Sequence, residues 1–250
     1  LAESNGDTIL VYLAQNYNQT NMAGLHQYGL SSATPWLGPQ SSQSHSFSES
    51  ITLKPGFDFL ADDDYFLSGV QYELQGDTYF SVVTQRQSDG EVDRSRLVIG
   101  NDWNYVDLHA SVYGSTAAFA HCGTNGVLVY AWGSFSSFHD KSRSFGWSGS
   151  EVGSVCAADA STLEGHIVDD SSETYAIFKA GNSGEKMTEV DSRNVYPHDI
   201  DFLSTKDFDY SVSALGDDGL MVSKDETESI FLTTGAPYRT AVAAFDGVFY

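Results

Sequence analysis

Short runs of apolar and alternating residues recur along the chain, each set off by Gly, Asn, Asp or Ser. The runs 79-YFSVV-83, 127-VLVYAW-132, 174-TYAIF-178 and 220-LMVS-223 follow Gln75-Gly76-Asp77, Thr124-Asn125-Gly126, Ser171-Ser172-Glu173 and Asp217-Asp218-Gly219. A second set precedes the same turns: 65-YFLSGVQYE-73, 116-TAAFAHC-122, 164-EGHIVD-169 and 209-DYSVSAL-215. Asn-Gly and Asp-Gly pairs accept the positive φ angles of two-residue hairpins, so each turn predicts an antiparallel strand pair. Near the start, 5-NGDTILVYL-13 is a further example.

An aromatic residue in a polar or Gly/Pro-rich setting follows each hairpin: Trp36, Trp103, Trp147, Tyr196 and Tyr238. These landmarks recur roughly every 40–50 residues with one longer gap, the period of propeller blades built from four short strands. The longer gap is read as an insertion over 47-FSESITLKPGFDFLADDD-64. The C-terminal 241-AVAAFDGVFY-250 resembles the strand before a hairpin, and 6-GDTILVYL-13 the strand after one. Residues 1–250 are therefore expected to form a single all-β domain, a five-bladed β-propeller closed by pairing of its N- and C-terminal strands. Such closure removes the open sheet edges that template aggregation. Six blades or a β-sandwich are the competing architectures.

Composition narrows the function classes. The chain of 250 residues carries a formal net charge of −22 with only 12 Lys and Arg. Phosphate binding relies on such cations, so nucleic acid is not an expected partner. No apolar run reaches the roughly 20 residues of a membrane-spanning helix. Cys122 and Cys156 lack any zinc-ligand spacing, and neither a metal nor a cofactor is expected. The two can form one disulfide or remain two buried thiols. The sequon Asn18-Gln19-Thr20 in a polar turn and the start at Leu1 fit a processed, secreted chain glycosylated at Asn18.

The pieces 117-AAFAH-121, 128-LVYAW-132, 138-FHD-140 and Trp147, with 10-LVYLA-14, 25-LHQY-28 and Trp36, resemble the blades of the fungal fucose-specific lectins of the Aleuria type. The resemblance implies sugar pockets between blades, each gripped by an Arg, a carboxylate and an aromatic wall. The Arg position falls on Leu10, Leu128 and near Ala176 and Met221, and no blade keeps it. The acidic position is filled by Asp140 and Glu189, and the wall by Trp36, Trp103, Trp147, Tyr196 and Tyr238. Apolar residues where a guanidinium should hold sugar hydroxyls speak against ordinary fucose binding.

Two functions follow. The first is a secreted lectin-like module that binds carbohydrate or a related small ligand through those aromatics with Asp140 and Glu189. The second is an enzyme of fungal small-molecule biosynthesis acting on an apolar substrate, such as a cyclase catalysing hetero-Diels–Alder couplings. There Tyr72, His121 and His166, on strands expected to line a central channel with Ser213 and with Glu164, Asp169 and Asp170 nearby, are the catalytic candidates. A glycoside hydrolase using the acids of 61-ADDDY-65 and Asp169-Asp170 ranks below both. His139, Lys141 and Arg143 beside Asp140 read as a solvated turn face.

Overall fold

The computed structural model describes the backbone of residues 2–5, 8–17, 22–31, 41–46, 51–61, 64–86, 88, 92–94, 97–98, 105–123, 127–136, 138, 143–146, 155–169, 174–180, 188–193, 197–204, 209–224, 227–231, 244–245 and 248–249. Most side chains are described over 51–86, 107–136, 155–180 and 197–224. The chain is all-β and divides into two compact units, Leu1–Asp102 and Trp103–Tyr250.

In the first unit, β1 (Ala2–Asn5), β2 (Thr8–Tyr17), β3 (Met22–Ser31) and β4 (Ser41–Ser46) form a four-stranded antiparallel meander. Asn5 pairs with Thr8, so β1 and β2 form a hairpin about the predicted turn, whose Gly6 and Asp7 lie outside the described residues. The strand before it is short, and it comes from the N-terminus itself. A second meander joins β5 (Ile51–Ala61), β6 (Tyr65–Leu74), β7 (Asp77–Arg86) and β8 (Val92–Arg94), with β9 (Leu97–Val98) also on β7. Residues 51–61 are thus a full strand where the sequence suggested an insertion. Its register on β6 jumps between Leu53 and Phe57, across Lys54-Pro55-Gly56. Proline cannot donate to a ladder, and the resulting bulge breaks the alternation that announces a strand.

The β6–β7 hairpin turns on Gln75 at φ 55° and Gly76 at φ 92°, both positive as a type I′ turn requires. Tyr72 and Tyr79 are directly opposed across it and stack with centroids 5.5 Å apart. They pack with Ile51, Val70 and Val83 in a small core.

The second unit holds three further four-stranded meanders. The first is β10 (Tyr105–Tyr113), β11 (Thr116–Gly123), β12 (Val127–Ser134) and β13 (Arg143–Gly146). The second is β14 (Val155–Asp159), β15 (Glu164–Asp169), β16 (Thr174–Lys179) and β17 (Thr188–Arg193). The third is β18 (Asp199–Ser204), β19 (Asp209–Ala214), β20 (Leu220–Lys224) and β21 (Thr227–Phe231). At the C-terminus β22 (Ala244–Phe245) pairs with β23 (Val248–Phe249).

The first strands of these three meanders, β10, β14 and β18, pack against one another. The strands before each predicted turn, expected to be innermost, are the second of each sheet. Small residues explain the close approach of the first two meanders. Ala118 and Ala120 face Ala158, Ala160, Ala176 and Ala180, while Leu128, Tyr130, Trp132, Ile167 and Phe178 fill the wider part of the same core. Cys122 on β11 and Cys156 on β14 form a disulfide across this contact, settling the alternative left open by the sequence. The cysteines are 34 residues apart, and closing a loop of that length constrains the unfolded chain by about 4 kcal/mol.

Candidate functional site

The edge of β14 away from β15 is covered by side chains rather than paired with another strand. Cys156, Ala158 and Ala160 direct alternate N–H groups away from β15, as every second residue of an edge strand must. Asp107, His109 and Ser111 alternate along β10 with the same period and meet them in order. Cys156 N donates to Asp107 Oδ2 at 3.2 Å, Ala158 N to His109 Nδ1 at 3.1 Å, and Ala160 N to Ser111 Oγ at 2.9 Å. A register shift between Tyr105 and Asp107 sets the phase of this comb. Burial raises the Asp107 carboxyl above its ordinary range, opposed by the Cys156 N–H and by His109, while Asp199 adds to the rise.

His109 also reaches β18, its Nε2 lying 2.9 Å from Asp201 Oδ1. Because Nδ1 accepts from Ala158, Nε2 carries the proton and donates to the carboxylate. Asp201 Oδ1 further accepts the Phe202 N–H at 2.8 Å. The Phe202 ring then lies between two imidazoles, 6.1 Å from His109 and 4.7 Å from His166.

His166 stands on the face of β15 that packs on Ile200 and Phe202, and its Nδ1 is 2.9 Å from the Tyr175 hydroxyl. Asp159 and Glu164 are directly opposed across the β14–β15 hairpin, one step along the same face. One ligand-type atom from each of Asp159, Glu164 and His166 lies within 4.8 Å of the others. Asp159 Oδ1 accepts from Ser161 N and Oγ, each at 2.8 Å, and from Thr162 N at 3.4 Å. Lys179 Nζ donates to Glu164 Oε1 at 3.3 Å. The Tyr130 hydroxyl, kept protonated by burial and by the nearby Asp159 and Glu164 charges, donates to the Asp159 carbonyl at 2.9 Å.

The residues singled out from sequence are placed as follows. His121 on β11 is fully buried, and burial holds its pKa down at about 3. His166 is 4% exposed and belongs to the cluster just described. Tyr72 lies in the other unit, also fully buried, 3.2 Å from Ser81 Oγ. Ser213 is buried on β19. The positions Trp36, Trp103, Asp140, Trp147, Tyr196, Tyr238 and Asn18 lie outside the described residues, and Glu189 falls on β17 with its side chain outside them.

Sequence reasoning missed Asp107, His109, Ser111 and Asp201. Their signal is the period-two polar alternation in 107-DLHAS-111 and 199-DIDFLS-204, which marks a strand with one polar face. It passes unnoticed when attention rests on the apolar runs beside the turns.

No protein-family model matches the chain, and no curated protein does so either. Solved structures do resemble it. BBS1N, crystallised in complex with ARL6DN and soaked with lead, aligns over 96% of this chain and 73% of its own at 9% identity, TM-score 0.56. A putative 6-phosphogluconolactonase from Bacteroides uniformis aligns over 95% and 71% at 12% identity, TM-score 0.52. At such identities the likeness concerns fold alone, and the fold is of the β-propeller type.

Proposed function

We propose that the chain is a five-bladed β-propeller whose two ends complete the ring, serving as a lectin-like binding module for carbohydrate or a related small ligand. The observation that carries this reading is the repeated meander with its aromatic landmarks. In sequence, Trp147, Tyr196 and Tyr238 follow the last strands β13, β17 and β21, and Trp36 follows β3. Glu189 lies on β17, a last strand, which suits a carboxylate shared by equivalent pockets. Hydroxyl-rich ligands are held by this combination of an aromatic platform and an acceptor carboxylate.

The enzyme reading draws less support. A wholly buried imidazole that stays neutral down to about pH 3, as His121 does, is poorly suited to exchange protons with a substrate at neutral pH. Tyr72 stacks within a core and is equally buried. The Cys122–Cys156 disulfide supports an oxidising compartment, consistent with secretion.

The test is a glycan array probed with the purified chain, followed by titration of the best binder. Trp147→Ala is expected to weaken that binding by about tenfold, or 1.4 kcal/mol. An array without a binder, or full affinity in the variant, overturns the lectin-like reading and leaves the enzyme as the reading to test.

A further inference from the structure

The geometry points to a divalent transition-metal site, of the kind that takes Zn²⁺, formed by Asp159, Glu164 and His166 on the β14–β15 hairpin. One imidazole with two carboxylates is a donor set suited to zinc, leaving a fourth position for water or a ligand group. Asp159 is 8% and His166 4% exposed, so this is not a solvated acidic patch.

Each ligand has a division of labour between its atoms. Tyr175 engages His166 at Nδ1, which makes Nε2 the nitrogen that would bind. Ser161 and Thr162 hold Asp159 by Oδ1, leaving Oδ2 for the metal. Lys179 holds Glu164 by Oε1, which assigns Oε2. Outer partners that orient ligands through their second heteroatom are a recurring feature of metal sites.

Charge argues the same way. Two carboxylates meet on a largely buried face, and Lys179, which pairs with Glu164, keeps its side chain half exposed. A divalent ion there offsets the remaining negative charge in a region of reduced dielectric. Donor atoms around a tetrahedral zinc lie roughly 3.3–3.5 Å apart. One donor atom from each residue already lies within 4.8 Å of the others, so side-chain rotation onto the assigned atoms with a contraction of roughly 1 Å or somewhat more would close the site. Glu164, with 20% of its side chain exposed, can supply this by rotation.

The site is independent of the carbohydrate reading and is tested without it. The purified full chain, stripped with chelator, is titrated with Zn²⁺ by calorimetry and with Co²⁺ by visible absorption. The expectation is one site of micromolar affinity or tighter, with the intense d–d bands of low-coordinate cobalt. Asp159→Asn and Glu164→Gln, which keep shape and hydrogen-bonding capacity, and His166→Gln should each weaken binding by about tenfold or more and alter the cobalt spectrum. His198→Gln, on the segment before β18, should leave both readouts unchanged. Absence of binding in the intact chain overturns the proposal. So does binding that survives the three ligand substitutions, which would place the ion elsewhere. Should a ligand variant unfold, circular dichroism detects it, and the remaining two decide the question.

Discussion

His109 and Asp201 meet at 2.9 Å between β10 and β18, while the other nitrogen of the same imidazole accepts the Ala158 N–H of β14. One side chain thereby joins the first strands of three meanders. His109→Ala leaves that N–H and the Asp201 carboxylate with fewer partners. The expected loss is about 1–3 kcal/mol, read as a lower urea midpoint at unchanged slope. Glu73→Gln, which breaks the exposed Lys54–Glu73 pair, serves as the contrast and should cost about 1 kcal/mol or less. Equal effects of the two changes would refute a bridging role for His109.

Acid should weaken the fold through His121. Its folded-state pKa of about 3 lies below the unfolded value of 6.5, so the unfolded chain binds the extra proton between those pH values. Stability from this group is complete above about pH 6.5 and declines as pH falls toward 3, by at most about 1.4 kcal/mol per pH unit. Asp107, shifted upward by burial, acts oppositely just above its ordinary carboxylate range. Thermal midpoints between pH 7.5 and 5 should fall for the native sequence and fall less steeply for His121→Gln. Parallel slopes would show that His121 is not the responsible group.

The disulfide gives a third expectation. Peptide mapping without reductant should recover Cys122 joined to Cys156. Replacing both by Ser should lower stability by up to about 4 kcal/mol, because the loop they close is no longer constrained in the unfolded state. Recovery of both peptides as free thiols from oxidised material would contradict the pairing.

Gly76 isolates a backbone effect. Its φ is +92° and a Cβ added there meets nothing within 4 Å, so Gly76→Ala carries a conformational cost without a steric clash. The expected loss is about 1–2 kcal/mol, measured by denaturant unfolding. At Gln75, φ 55°, Asn suits the left-handed region better, and Gln75→Asn should hold or raise the midpoint.

Much of the strand pattern could be read from the chain because its signals are local. The turn at Gln75-Gly76 and the runs beside it appear as β6–β7, and the runs on either side of Asn125-Gly126 pair as β11–β12. β5 escaped because Pro55 and Gly56 interrupt its alternation, and β10 because its alternating residues are polar. Of the candidate site, His166 was legible as a histidine on a strand with Glu164 nearby, yet Asp159 was not. Asp159 and Glu164 look like two ordinary acids flanking a turn until the hairpin register sets them opposite each other.

The sequence by itself determined the all-β character, the hairpins and their repetition, since turn φ angles and period-two alternation depend only on neighbouring residues. Tertiary structure alone decided that Cys122 pairs with Cys156, that 107-DLHAS-111 covers the edge of β14, and that Asp159, Glu164 and His166 share one face. Each bond of the comb joins residues 49 apart in the chain, and its donors are backbone groups that every sequence possesses. No residue pattern reveals which of them a neighbouring sheet leaves uncovered. That depends on which strand edges the packed meanders bring together.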